Sequence, residues 1–387
     1  MSERIPYGRQ DISEADIASV VNSLTSDFLT QGPAVPRFEQ ALASYCGAKH
    51  ALAANSATSA LHIACLALGL GEGDWLWTSP ITFVASSNCA LYCGAQVDFV
   101  DIDPETYNLC PKKLAQKLER AKATGRLPKV VVPVHFTGQP CDMEPIAALA
   151  KTYGFRIIED ASHAIGGEYR GEKIGNCRYS DIAVFSFHPV KIITTAEGGA
   201  AMTNDDDLAR RMALFRSHGI TRDTNQMKVA NAEPWVYEQL ELGYNYRLTD
   251  LQAALGISQM ARLDEFVSKR HRIAERYDAL LADLPVKTPF RSAECYSGFH
   301  LYVIRVPARG HVERTGVFKS LAADGIGVNV HYIPVHTQPY YREHGHTDTH
   351  MPESEAYYDE AITLPLYPGL SEQLQDRVVA ALRKAVG

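Results

Sequence analysis

The residues whose chemistry is easiest to name lie between positions 55 and 200. The run Ile157-Ile158-Glu159-Asp160-Ala161-Ser162-His163 reads as an apolar strand that delivers a carboxylate and an imidazole where it stops. In open α/β sheets that edge is where ligands sit. Asp160 suits a catalytic base, a magnesium ligand or the partner of a protonated pyridine nitrogen, and equally a helix N-cap. Further on comes Phe185-Ser186-Phe187-His188-Pro189-Val190-Lys191, followed by Thr194-Thr195 and Glu197-Gly198-Gly199. Pro189 fixes the backbone and the glycine pair frees it, so Lys191 belongs to a shaped loop rather than a random surface. Partly desolvated in a pocket, its ammonium would have a lowered pKa and yield the amine nucleophile that Schiff-base chemistry needs.

A run of small hydroxyl residues, Asn55-Ser56-Ala57-Thr58-Ser59-Ala60-Leu61, opens a helix. Free N–H groups and the positive end of the helix dipole make such a start a phosphate site, with simple N-capping by Ser56 or Thr58 as the structural alternative. Phe83, just after the strand ending in Ser79-Pro80, suits stacking on an aromatic cofactor ring or packing in the core. Amine, carboxylate, phosphate cradle and aromatic face together are the parts of a pyridoxal-phosphate site. That cofactor needs a lysine anchor, an acid on the pyridine nitrogen and a hold on the phosphate.

The elements that must position these groups are legible as short apolar runs alternating with helical patterns, the signature of an α/β domain with a largely parallel sheet. Strands are expected at Trp75–Ser79, Gln96–Val100, Lys129–His135, Arg156–Glu159 and Ile182–Ser186. Helices are expected at Ser59–Leu70, Thr82–Cys93, Met143–Tyr153 and Leu208–Ser217. One long helical segment from Thr249 to about Leu284 leads out of this domain. The division is thus a large domain over residues 1–250 and a connecting helix with a smaller α/β domain over 251–387.

Composition narrows the function further. The 387 residues are 46% hydrophobic and 21% charged, with a formal charge of −7. Such a chain has no long-range attraction for nucleic acid or an anionic membrane, so an anionic ligand must be held by local groups. The polar start, Met1 to Asp11, lacks the apolar core of a secretory signal, and no apolar run is long enough to span a membrane. A cytoplasmic protein is expected. Eight cysteines without a C-x-x-C pair indicate reduced thiols. His344, His346 and His350 with Asp348 have no thiolate or paired carboxylate to complete a metal set, so they read as a solvated loop and no metal is expected.

Four stretches carry a resemblance that covers nearly the whole chain: Asp27-Phe28-Leu29-Thr30-Gln31-Gly32-Pro33, Trp77 to Ser86, Pro133-Val134-His135-Phe136-Thr137-Gly138-Gln139 and Ser186 to Lys191. They are similar to the DegT/DnrJ/EryC1/StrS sugar aminotransferases, which implies the aspartate-aminotransferase-like α/β fold, type I among pyridoxal-phosphate enzymes. The resemblance implies that Lys191 carries the cofactor, Asp160 binds the pyridine nitrogen, His163 lies near the ring's phenolic oxygen and Phe83 stacks on the ring. Amides of Thr58 and Ser59 and the Ser186 hydroxyl would hold the phosphate. Asn245 would reach the phosphate of the neighbouring subunit's cofactor, which implies a homodimer with shared sites. Tyr7, Leu29, Thr30, Gln31, His331, Tyr332, Ile333 and Pro334 would line the substrate pocket.

The implied reaction moves an amino group from L-glutamate to C4 of a UDP-linked 4-keto-6-deoxy-N-acetylhexosamine, as in pseudaminic acid biosynthesis. Other family members act on dTDP- or GDP-sugars, or at C3. Ala57 and Ala196 stand where relatives often have glycine, so the backbone is expected to stay in ordinary dihedral regions there. A related sugar dehydratase would have histidine in place of Lys191, and a non-catalytic binding protein would tolerate its loss. Gly69-Leu70-Gly71-Glu72-Gly73 follows a helix rather than joining a strand to one, so it is no dinucleotide fingerprint.

Overall fold

A computed structural model describes residues 4–229, 233–310 and 312–387. Its centre is a seven-stranded sheet made of β1 (His50–Ala54), β2 (Trp75–Thr78), β3 (Gln96–Phe99), β4 (Val130–Val132), β5 (Arg156–Asp160), β6 (Ile182–Ser186) and β7 (Gly199–Thr203). The spatial order is β1-β7-β6-β5-β4-β2-β3. Pairings from β3 through to β6 are parallel, and β7 runs antiparallel to both β6 and β1. The carboxyl ends of β1, β2, β5 and β6 therefore share one edge of the sheet, joined there by the start of β7.

Both faces of the sheet are covered. One core includes Phe38, Trp77, Ile157, Phe185 and Phe187; the other includes Leu61, Ile63, Phe99, Ile158 and Val184. The alternation along β5, with Ile157 in one core and Ile158 in the other, is what a strand buried on both faces requires. After helices α1 (Glu14–Leu24) and α2 (Ala34–Cys46) comes α3 (Ala57–Ala67), which is buried nearly all round. Its small residues let it lie close on β1 and β7. A third core gathers Tyr277, Tyr302, Ile304, Leu364 and Leu382 from the C-terminal part, together with Ile5 from the other end of the chain.

Two expectations need correction. β1 and β7, His-Ala-Leu-Ala-Ala and Gly-Ala-Ala-Met-Thr, contain no Val, Ile, Phe, Tyr or Trp and a single β-branched residue, Thr203, and neither reads as a strand from sequence. The segment after Thr249 is also two helices, Asp250–Met260 and Leu263–Leu281, instead of one. The break at Ala261-Arg262 turns the Arg262 guanidinium onto Asp11, at 2.6 Å, and onto Asp16, at 2.5 Å.

Candidate active site

At the carboxyl edge of the sheet a cavity of about 650 Å³ opens, lined by residues from β5, β6, α3 and the loops at 82–85, 186–197 and 329–333. Asp160 ends β5 and is buried there. Its Oδ2 accepts from Ser86 Oγ at 2.6 Å and its Oδ1 from the Ser162 N–H at 3.1 Å. Turns rather than a helix follow it, so it is not an N-cap. Glu159, one residue earlier, points to the other face, where His135 Nε2 and Ser180 Oγ hold it at 2.6 and 2.5 Å.

Lys191 follows β6 on a loop closed by Lys191 N–H to His188 O, 2.9 Å, and Thr195 N–H to Phe187 O, 3.0 Å. Its side chain lines the cavity, half-buried. Desolvation pulls its pKa down from 10.5 to about 8, and the Asp160 carboxylate partly offsets this. Three imidazoles, His163, His300 and His331, stand beside it. Burial, followed by the charge of Lys191, holds His163 and His300 well below the usual imidazole range and brings His331 to about 3. The lysine thus shares its pocket with neutral rings, and near neutrality a usable fraction of it is free amine.

The glycine pair has a different task from the one its flexibility suggests. A Cβ on Gly199 would lie 2.4 Å from Ala57 N and 2.6 Å from Ser56 C. Glycine here lets the start of α3 rest directly on β7. Ser56 is the N-cap, accepting from the Ser59 N–H at 3.1 Å. That leaves the N–H groups of Ala57 and Thr58 without intrahelical partners, and both residues line the cavity. The Ser59 hydroxyl turns away to Asn55 Oδ1, at 2.6 Å. Ala57 is ordinary helix, but Ala196 has φ of +66°. The expectation of ordinary dihedrals at Ala196 is therefore wrong: the turn into Glu197-Gly198-Gly199 uses the left-handed region that glycine favours.

Among the other candidates, Tyr7, Ser186, His331, Tyr332 and Ile333 line the cavity. So does Phe83, which is 59% exposed and therefore not a core residue. Pro334 is buried behind this wall. Leu29, Thr30 and Gln31 do not face the cavity of their own chain; they pair with the start of the 250–260 helix, through Thr30 against Thr249 and the Asp250 N–H to Leu29 O. Asn245 is exposed and likewise outside the cavity.

Sequence reasoning missed Ser86 and His300. Ser86 lies in the Trp77–Ser86 stretch, four residues after Thr82, whose hydroxyl it meets at 2.6 Å. A hydroxyl pair at helical spacing beside an apolar strand was its available signal. His300 comes from the C-terminal part of the chain. It is brought in by Gly138, whose φ is +103° and whose Cβ would lie 2.7 Å from Phe299 N and 2.8 Å from His163 O. Gly138 O also accepts from the Gly298 N–H at 2.9 Å. The Pro133–Gln139 stretch thus knits His163 to His300. No helix among the described residues is long and apolar enough to cross a membrane.

Comparison with known proteins identifies the family. The model of the DegT/DnrJ/EryC1/StrS aminotransferase family matches residues 10–383. The spore coat polysaccharide biosynthesis protein SpsC of Bacillus subtilis is 39% identical over 386 residues, covering 99% of this chain and 97% of its own. Helicobacter pylori PseC, an aminotransferase of pseudoaminic acid biosynthesis, superposes with a TM-score of 0.90 at 31% identity, over 99% of both chains. A putative sugar aminotransferase of Streptococcus pneumoniae, Spr1654, solved in PLP and PMP forms, gives 0.88 at 28% identity over 99% of this chain and 98% of its own. The chain belongs to the DegT/DnrJ/EryC1/StrS aminotransferase family, and it is a pyridoxal-phosphate-dependent sugar aminotransferase of fold type I.

Proposed function

We propose that this enzyme transfers the amino group of L-glutamate to C4 of a UDP-linked 4-keto-6-deoxy-N-acetylhexosamine, with Lys191 as anchor and proton carrier. The observation that carries the site assignment is Lys191 itself: a half-buried amine with its pKa near 8, beside Asp160, in one cavity with a free helix start. The remaining residues fit the cofactor. Asp160, held by Ser86, would pair with the pyridine nitrogen, Phe83 would cover the ring, and the Thr58 N–H and Ser186 hydroxyl would hold the phosphate. Ser59 contributes its place in the helix more than its amide, which Ser56 already caps.

Bound there, the cofactor supplies an electron sink for the bonds at the reacting carbon. The protein's own part is proton transfer and exclusion of water. Lys191 Nζ, as a free amine, would take the proton from the α-carbon of glutamate in one half-reaction and deliver a proton to C4 of the sugar in the other. Tyr7, His331, Tyr332 and Ile333 would bound the sugar side.

A homodimer is part of this reading. Among the described residues lining the cavity, Lys191 is the sole lysine or arginine, which is few for a sugar diphosphate. Asn245 and the Leu29–Gln31 segment lie outside their own cavity, as residues serving a neighbour's site would. Ile17, Val21, Leu24, Phe28 and Leu29 leave an apolar stripe exposed nearby. A cytoplasmic site of action agrees with eight free thiols.

The pathway reading is supported by PseC, and a second reading by SpsC, whose 39% identity exceeds the 31% to PseC. In that case the same chemistry serves a different nucleotide sugar or amine position. Incubating the enzyme with L-glutamate and a panel of 3-keto and 4-keto nucleotide sugars, with the product's amine located by NMR, separates them. The proposal expects a C4 amine on the UDP-linked N-acetylated sugar. Turnover only of a dTDP- or GDP-sugar, or amination at C3, selects the second reading.

A further inference from the structure

His163 is 5% exposed and forms part of the cavity wall. Its Nε2 lies 3.3 Å from the Tyr332 hydroxyl, while its Nδ1 is buried with no hydrogen-bond partner. Its surroundings fix its charge: burial, then the charges of Lys191 and His331, opposes protonation, so the ring is neutral and carries one N–H. Tyr332 is equally fixed. Burial, then the Asp160 carboxylate and Tyr7, raise its phenol pKa, so it keeps its proton. Both Asp160 oxygens already accept hydrogen bonds, from Ser86 and Ser162. The hydrogen-bond partner of the Tyr332 hydroxyl is His163 Nε2 and not Asp160; with the Tyr332 proton given to that nitrogen, the imidazole's own proton sits on Nδ1.

We propose that Tyr332 sets the tautomer of His163, so that His163 presents Nδ1–H to the oxygen on the cofactor ring. Tyr332 is then a positioning residue for the transamination. The inference rests on the reading of this cavity as the cofactor site. A buried N–H without an acceptor is costly, and a negatively polarised ring oxygen supplies what the protein leaves out. Two further contacts keep the ring from turning away. His300 packs on it with ring centroids 4.4 Å apart, at 49°. The His300 backbone is itself pinned by the buried Arg270 guanidinium, which donates to Phe299 O and His300 O at 3.2 Å each and to Leu366 O at 3.1 Å. Tyr332 and His300 both come from the C-terminal part of the chain, so that part addresses the cofactor's edge through His163.

The test is ¹⁵N NMR of the holoenzyme labelled at histidine, with the His163 signals assigned by their loss in His163→Gln. Nδ1 protonated and Nε2 bare is the expected result. In Tyr332→Phe, which keeps the ring and loses one oxygen, the two tautomers should mix. The pH at which the cofactor's visible band changes should then rise by about half a pH unit or more, because the oxygen loses a fixed donor. His163 protonated on Nε2 in the unmodified enzyme overturns the proposal, as does an unchanged tautomer with an unchanged visible transition in the variant. If Tyr332→Phe does not hold cofactor, the tautomer in the unmodified enzyme decides alone. Borohydride reduction followed by peptide mass keeps the two readings apart. Cofactor fixed on Lys191 with the wrong tautomer sinks only this inference, and no cofactor on Lys191 sinks the site assignment beneath it.

Discussion

Lys191 shows how far a single side chain can be read before its fold is known. Pro189 and the glycine pair marked its loop as shaped, and the run ending in Asp160 and His163 offered the other half of a site. What sequence did not reveal was the company the lysine keeps, because His300 and His331 arrive from over a hundred residues away. The lysine's own burial in that pocket has a measurable effect. In cofactor-free protein the folded pKa of Lys191, about 8, lies below its unfolded value of 10.5, so the unfolded chain binds more protons between those two pH values. Stability contributed by this group therefore rises with pH across that window and is lowest below pH 8. Replacing Lys191 by Met should stabilise the apoprotein at pH 7 by roughly 1 to 3 kcal/mol, since the side chain is half-buried. The gain should shrink as pH climbs toward 10.5, as followed by denaturant unfolding. A gain independent of pH would mean that Met acts through packing.

At the scale of elements, strands rich in Val, Ile and Phe were legible, and Met143–Tyr153 was found to the residue. The alanine-rich β1 and β7 were not, because their small residues answer to the close approach of α3 and not to strand propensity. Gly199 is the clearest instance. Gly199→Ala places a Cβ against Ala57 and Ser56 backbone, where nothing flexible can yield. We expect a loss of about 2 kcal/mol or more in chemical denaturation, and weaker retention of cofactor as α3 is pushed off β7. Ala196→Gly should go the other way. With φ of +66° the alanine is strained, and its removal should gain about 0.5 kcal/mol after the glycine's extra unfolded-state entropy is counted. Thermal unfolding of the two variants side by side checks both signs.

For the whole molecule, the resemblance supplied what no single element could: a reason why Asn245 lies outside its own cavity. If each site takes Lys191 from one subunit and Asn245 from the other, Lys191→Ala and Asn245→Ala proteins should complement when unfolded together and refolded. Half of the chains then pair as heterodimers carrying one intact site, so about a quarter of full activity should return. No recovery with a mixed dimer demonstrably formed would place both residues in one chain's site. The central claim, that Lys191 carries the cofactor of a transaminase, is tested most directly by the visible spectrum of the purified protein before and after L-glutamate. The unmodified enzyme should show a yellow absorbance band that bleaches on adding glutamate, and Lys191→Ala should neither bleach nor turn over. A colourless protein after loading with pyridoxal phosphate, or a Lys191→Ala variant with unchanged turnover, would contradict it.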